Sequence, residues 1–316
     1  MAVGYGMRGH VLWNFQTAWG TSVVASQQAV PIISEGIDWV YEDIEEASMY
    51  GRFHAPPAQN GMQRAEGDIA MEAHPAQMGE LLRAAFGQVT TTSGTGIQTH
   101  VFEPRTTDWA DRSALPPSTV EIHRDVGSAF QFFDLVANKL ALNAANGQFV
   151  GVTASMIGAG YTRLAAGTPT FPADTPFKWD GASVSWNGGA VLDFRSLQWS
   201  FMNNLEAQYT LNYSSVPYRI KRTGFHQVDV SGTIVFAQHS YFDAFANKTQ
   251  ASLVANFVGD TPHVLRIDIP LLRLRSFKAA IAGPGVVEAS FEGRAIYLST
   301  SATNTRVTLV NTRTYY

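Results

Sequence analysis

The sequence predicts a mainly β chain with two α-helices, built as two tandem copies of one unit. Three observations carry that expectation. Apolar and polar residues alternate with period two over many short segments, separated by turn residues. Only two segments switch to helical spacing, and they lie about half a chain apart. The order of features around the first helix recurs around the second. The chain has 316 residues and no cysteine, with 45% hydrophobic and 15% charged residues. An ordinary domain carries about 25% charged residues, so the polar surface rests on Ser, Thr, Asn, Gln and Gly.

In chain order, residues 40–44, 69–73, 119–122, 184–186, 228–236, 265–269 and 306–310 read as strands. Asp180-Gly181 and Asn187-Gly188 bracket one of them with hairpin dipeptides. Residues 75–86 place Met78, Leu81, Leu82, Ala85 and Phe86 on one helical face, with Pro75 in the first turn and Gly87 as the stop. Residues 240–254 place Phe242, Phe245 and Leu253 similarly, with Ser240 as N-cap. The stretch 158–176 is rich in Gly, Pro, Thr and Ala and reads as a linker. The expected organisation is a first domain over 1–160, a linker over 161–176 and a second domain over 177–316.

The two halves share an order of features. Trp39, Ile44-Glu45, a Pro-bearing stretch, Gly67-Asp68-Ile69, His74 and a helix in the first half answer Trp199, Leu205-Glu206, a stretch with Pro217, Gly232-Thr233-Ile234, His239 and a helix in the second. His100-Val101 answers His263-Val264. Tandem duplication leaves such a nearly constant offset.

Composition and motifs exclude several chemistries. Without cysteine there are no disulfides, thiolate metal sites or cysteine nucleophiles. The 19 Phe, 11 Tyr and 7 Trp argue against disorder. No apolar run spans a bilayer, and residues 1–10 lack the pattern of a signal peptide. The eight histidines form no HExxH or other ligand spacing, Gly158-Ala159-Gly160 lacks the rest of a phosphate loop, and neither GxSxG nor GxxxxGK[ST] occurs. No cofactor, metal or catalytic residue is expected. The glycosylation patterns at Asn212 and Asn247 are read as coincidental.

Three charge clusters stand out, one acidic and two basic. Glu35, Asp38, Glu42, Asp43, Glu45 and Glu46 lie within twelve residues with no base among them. Three readings are open: a solvated face, a carboxylate pair of a hydrolase, or a like-charged wall that repels phosphate. The bases Arg219, Lys221 and Arg222, and Arg266, Arg273, Arg275 and Lys278, read either as solvated or as partners for acidic surfaces on another subunit. The net charge of −4 gives no overall nucleic-acid footprint.

Tyr5-Gly6, Ala18-Trp19-Gly20-Thr21 and Pro31-Ile32-Ile33-Ser34-Glu35 together resemble the opening of tail tube proteins (major tail proteins) of long-tailed, siphovirus-like bacteriophages. The segment from Gly67-Asp68-Ile69 to Phe86-Gly87 is similar to a family hallmark. So are His100-Val101-Phe102 followed by Leu115-Pro116-Pro117-Ser118-Thr119-Val120, the Asn-rich strand LQWSFMNNLE at 197–206, the block 222–234 and Asp268-Ile269-Pro270. The resemblance implies two tandem β-sandwich or barrel-like tube domains, each flanked by an α-helix, whose inner strands join those of neighbours around a lumen, in rings that stack into a hollow conduit for DNA ejection. Related tubes use six tube domains per ring, so two domains per chain favour trimeric rings with pseudo-six-fold symmetry over hexameric ones. The implied partners are further copies of the chain, the tape measure, tail terminator and tail-tip proteins, and DNA in transit. The implied location is the virion tail, assembled in the host cytoplasm without membrane insertion.

The acids from Glu35 to Glu46 are the candidate lumen carboxylates. The long hairpins at 49–64 and 209–223 are the candidate inter-ring contacts, through Tyr50, Arg52, Phe53, Pro57, Tyr213, Pro217, Tyr218 and Arg219. A tail-tip or adhesin-like β-sandwich binding module is the alternative.

Overall fold

The computed structural model describes every residue except 1–2, 25–27, 52–53, 55–56, 192 and 282. The first half runs through β1 (His10–Phe15), β2 (Ala29–Val30), β3 (Ser34–Glu35), β4 (Asp38–Glu45), β5 (Ala58–Glu72), α1 (Pro75–Phe86), β6 (Val89–Ser93), β7 (Gln98–Phe102), β8 (Ser118–His123), β9 (Ala129–Ala145), β10 (Gly151–Gly158) and β11 (Gly160–Leu164). The second half continues with β12 (Ala182–Trp186), β13 (Gly189–Val191), β14 (Phe194–Met202), β15 (Leu205–Gln208), β16 (Arg219–Arg222), β17 (Gln227–Val235), α2 (Ser240–Ala246), β18 (Gln250–Val258), β19 (Val264–Ala280), β20 (Glu288–Ala295) and β21 (Arg306–Asn311). The chain is mainly β, as its alternation predicts.

Local sequence explains the elements that were legible. Pro75 opens α1, and Gly87, at φ 72°, closes it by donating its N–H to the Arg83 carbonyl. The predicted face of α1 is buried at Met78, Leu81, Leu82, Ala85 and Phe86. Asn187 and Gly188, both at positive φ, turn β12 into β13.

Two expectations fail. The second helix stops at Ala246, with His239 rather than Ser240 at its N-cap. Lys248 at φ 55° breaks it. Ala251, Leu253, Ala255 and Phe257 then alternate into the core as β18, so tertiary burial selects period two there. The expected linker also contains a strand, because β11 pairs with β9 from Gly160 opposite Phe133 to Leu164 opposite Ala129.

The two seventeen-residue strands β9 and β19 are the spines of the fold. Along β9, β10 and β11 pair on one side, and β8 and β14 on the other. Along β19, β20 and β21 pair on one side and β18 on the other. The strand order β4-β5-β10-β9-β8 is thus repeated as β14-β17-β20-β19-β18. Even the irregularities repeat. β9 carries a bulge against β8 between Phe132 and Leu135 and an extra residue, Asn138, against β10. β19 carries the same pair, between Ile269 and Leu272 against β18 and at Arg275 against β20.

This register corrects the residue matches read from sequence. Asp38 and Ser200 sit opposite Glu66 and Asp229, so Trp39 corresponds to Phe201, not to Trp199. Gly67 and Val230 sit opposite Met156 and Gly293, so Gly67 corresponds to Val230, not to Gly232. Both slips are of two residues, which keeps every side chain on its face and so hides them from pattern matching. His100 lies in β7, opposite Leu309 of β21, and is unrelated to His263. The hairpin β6–β7 is inserted between α1 and β8, and the second half has no counterpart to it between α2 and β18.

The halves join where β14 continues the sheet beyond β9, over seven paired positions from Ser196–Ala145 to Met202–Lys139. Phe86 of α1 lies over this seam, stacked on Phe201 at 4.6 Å and on Trp199 at 6.1 Å, and all three side chains are buried. One apolar core runs through both halves.

Gly79 marks a tight contact between α1 and the end of the chain. The Tyr316 hydroxyl donates to the Ala76 carbonyl at 2.9 Å, and a Cβ on Gly79 would fall inside the Tyr316 ring. Helix propensity alone favours Gly79→Ala by about 1 kcal/mol. Overpacking is the larger effect, so this substitution is expected to destabilise the fold by about 1–3 kcal/mol. Urea denaturation gives the sign.

Candidate assembly surfaces

Alternation along β5, β10, β9, β14, β17 and β20 sends apolar residues to the core and polar ones to the opposite face. Around a hollow of about 610 Å³ on that face lie Thr153, Asn143, Gln198, Ser231, Asp229 and Glu292. By the same alternation the face carries Glu66, Asp68 and Glu72 of β5 and Glu288 of β20. Lys139, Lys278 and Arg294 are interspersed, and Arg294 is bound to Asp229 at 2.6 and 3.0 Å. The face is polar and of mixed charge, with Arg64 and Arg275 also among its carboxylates. None of the carboxylates on β5, β17 or β20 was singled out from sequence. Their signal was period-two placement on strands whose pairing only the fold supplies.

The acidic cluster read from sequence is divided by the same alternation. Asp38 and Glu42 lie on the polar face, where Arg64 reaches both Glu42 at 3.1 Å and Glu66 at 2.7 Å. Asp43 and Glu45 alternate to the other side of β4 and are exposed. Glu35 also lies on the other side, held by Arg124 in a bidentate pair at 2.8 and 3.1 Å. Arg124 further donates to the Ile37 carbonyl at 2.8 Å. Glu46 accepts a hydrogen bond from the Tyr50 hydroxyl, which holds its carboxyl below the usual range.

Two hairpin arms project from the sheets. The first is the outer part of β4 and β5, with Tyr50 and Pro57 exposed in its connection. Arg52 and Phe53 lie outside the described residues. The second arm is the separate pair β15–β16. Its tip carries a fully exposed Tyr213 at φ 59°. Pro217 is buried, Tyr218 lies under the Arg112 guanidinium at 4.5 Å, and Arg219 donates to Gln208 at 2.7 Å. These three side chains therefore also serve contacts within the chain. Lys221 and Arg222 both reach Asp108, at 2.8 and 3.3 Å. The arms touch one another, because the Ser215 carbonyl accepts from the Gln63 N–H and the Tyr209 hydroxyl donates to the Gln63 carbonyl.

The second arm is seated on β9. The Asn203 N–H donates to the Asn138 carbonyl, and the Leu205 N–H donates to the Asn138 side-chain oxygen. The buried Asn203 amide donates to the Ala85 carbonyl at the end of α1 and to the Ala137 carbonyl. At the corresponding point of β19, where Arg275 answers Asn138, an open cavity of about 1060 Å³ is lined by Lys248, Arg273, Arg275, Arg294, Phe245 and His226. Burial, with Arg222 beside it, holds His226 down at about 4, so it is neutral at pH 7. Among the described residues no three His, Asp or Glu side chains are placed to hold a metal ion.

Asn203→Leu removes both amide bonds and leaves two buried carbonyls without that donor. It is expected to cost about 2 kcal/mol and to raise hydrogen exchange in β15–β16 before it does so in β9. Equal loosening of both elements would refute the assignment of Asn203 as the anchor of the arm.

Comparison with curated proteins gave no match. Among the described residues no helix is long and apolar enough to cross a membrane. The family description "Phage tail tube protein" matches residues 7–295, which takes in both repeats, both arms and the seam between them. That span covers nearly the whole chain, and the mainly β architecture agrees with it, so the chain belongs to the phage tail tube protein family, a structural component of the virion tail.

Proposed function

We propose that this chain is the repeating subunit of a tail tube, assembled as stacked rings of three chains with pseudo-six-fold symmetry around a lumen that carries DNA at ejection. The observation that supports it most is the doubled strand order with its doubled bulges. Two equivalent sheets in one chain allow three chains to provide six equivalent units. One contact repeated around a cycle closes a ring, and contacts between ring faces extend it into a filament. The role is structural rather than catalytic.

The polar face is the proposed lumen wall. Asp38 and Glu42 from the expected acids lie on it, together with Glu66, Asp68, Glu72, Asp229, Glu288 and Glu292. A wall on which carboxylates outnumber bases, with Arg64 and Arg294 already held by carboxylates, offers phosphates little net counterion release, so DNA slides rather than binds. The first arm, with Tyr50 and Pro57, and the tip of the second, with Tyr213, are the proposed contacts between rings. Tape measure, terminator and tip proteins are the proposed heterologous partners, and assembly in the host cytoplasm is part of this reading.

Electron microscopy of the purified chain under assembling conditions is expected to show hollow tubes whose rings hold three chains and six lobes. Rings of six chains would overturn the stoichiometry, and persistent compact monomers would overturn the tube reading. Wild-type tubes are expected not to retain duplex DNA at low salt. Tubes of Asp68→Lys with Glu72→Lys are expected to retain it, with affinity falling as salt rises by about 0.9 log unit per log unit for each phosphate neutralised. Equal retention by both tubes would remove this face from the lumen.

A further inference from the structure

In the run β4-β5-β10-β9-β14-β17-β20-β19, the chain pairs at its internal seam what, among the described residues, it leaves unpaired at the two ends of the run. β14 is paired on both sides, with β17 and β9, whereas its counterpart β4 is paired, among the described residues, with β5 alone. The outer half of β9 is paired on both sides, with β10 and β14. The corresponding half of β19, residues 276–280, is paired among the described residues with β20 alone. Each open edge is the kind of edge that the other half has already matched.

We propose that a second copy of this chain supplies the missing strand: the β3–β4 edge of one subunit adds antiparallel to the open edge of β19 in the next, repeating between chains the β14–β9 seam within the chain. This rests on the tube reading above and names the surfaces and the register that close the ring.

The register follows from the repeat. At the internal seam Trp199 faces Leu142, Ser200 faces Ala141, Phe201 faces Leu140 and Met202 faces Lys139. Strands β14 and β4 correspond through their positions on β17 and β5, and β9 and β19 correspond through their bulges. The transfer sets Ile37 opposite Ala279, Asp38 opposite Lys278, Trp39 opposite Phe277 and Val40 opposite Ser276. Residue type played no part in that transfer. It nevertheless places opposite charges across from each other on the polar face and two aromatic rings across from each other on the apolar face, both favourable cross-strand pairs.

Three further observations agree. At the internal seam Phe86 of α1 covers Phe201. At the outer edge Phe242 of α2 packs on Phe277 at 6.3 Å yet stays 46% exposed, on the side where the incoming Trp39 would lie. Secondly, Asn138, which seats the internal arm, corresponds to Arg275, which lines the open cavity beside Arg273 and Arg294. The arm that would enter that cavity carries Glu42, Asp43 and Glu45, so a basic seat meets an acidic occupant. Thirdly, Asn203 donates from β14 toward β9, so alternate residues of the corresponding strand, Glu35, Ile37 and Trp39, direct their backbone groups to the open edge. In the single chain the Ile37 carbonyl is covered by Arg124, which blunts an edge that would otherwise be open to unregulated pairing. Ring closure exchanges that bond for a ladder bond.

The chain has no cysteine, so engineered cross-links report without background. Val40 with Ser276 inherits the closely spaced, non-hydrogen-bonded kind of pair, which suits a disulfide. Oxidised tubes of Val40→Cys with Ser276→Cys are expected to run as covalent multimers ending at a closed trimer on non-reducing gels. Val40→Cys with Lys278→Cys, two residues out of register, is expected to cross-link at least several-fold less. Asp38→Lys alone and Lys278→Asp alone are each expected to raise the concentration needed for assembly several-fold, and the two together to restore it. Tubes of normal ring symmetry in which both cysteine pairs link equally, or in which the double charge exchange is no better than the singles, would overturn the proposed register while leaving the tube reading intact. Absence of rings and tubes in the unmodified chain would overturn the tube reading, and the proposal with it.

Discussion

The seam between β9 and β14 is the constraint on which the other features depend. A strand edge buried without a partner leaves its N–H and C=O groups unsatisfied, so a sheet must be paired, covered or closed. Here the second half of the chain continues the sheet of the first over seven positions. Phe86, Trp199 and Phe201 pack above the ladder, so hydrogen bonding on one plane and aromatic burial on the next reinforce the same register. The seam also sets the position of the second arm, because Asn203 and Leu205 follow directly from β14 onto Asn138.

Once the sheet continues across both halves, alternation divides every strand between two environments. Ile69, Met71, Leu140, Leu142, Val152 and Ala154 face the core. Their neighbours in sequence face a common polar surface. That single rule separates Asp38 and Glu42 from Glu35, Asp43 and Glu45, although the five lie within eleven residues of one another. A contiguous acidic run in sequence is thus two groups in space, one on the polar face and one available to other surfaces, with Glu35 engaged by Arg124.

The low charge content fits this architecture. Many charges are already used in pairs within the chain, among them Arg294 with Asp229, Arg306 with Glu103 and Arg313 with Glu80. Large apolar side chains remain exposed on the arms and edges, including Ile44, Met49, Leu211, Tyr213, Phe242 and Ile281. Interface cores are depleted in Lys, Glu and Asp and enriched in aromatic residues and Met. A subunit whose surface becomes largely interface therefore needs fewer ions than a protein that stays alone in solution.

The sequence by itself determined the fold class, the capped helix α1, the hairpin at Asn187-Gly188 and the existence of a repeat, because these rest on local periodicity and turn chemistry. It left the repeat two residues out of register at Trp39 and Gly67, because a shift of two preserves the alternation on which pattern matching relies. It extended α2 into β18, because Ala251, Leu253 and Ala255 suit either period until a neighbouring strand selects one. The seventeen-residue spines were legible only as the short segment 265–269 of β19, since strands that change partners along their length and are bent by bulges lose a simple alternating pattern. Pairing between residues far apart in the chain decided the rest: which carboxylates share a face, where Asn203 anchors an arm, and that β4 and the second half of β19 each keep an unpaired edge among the described residues.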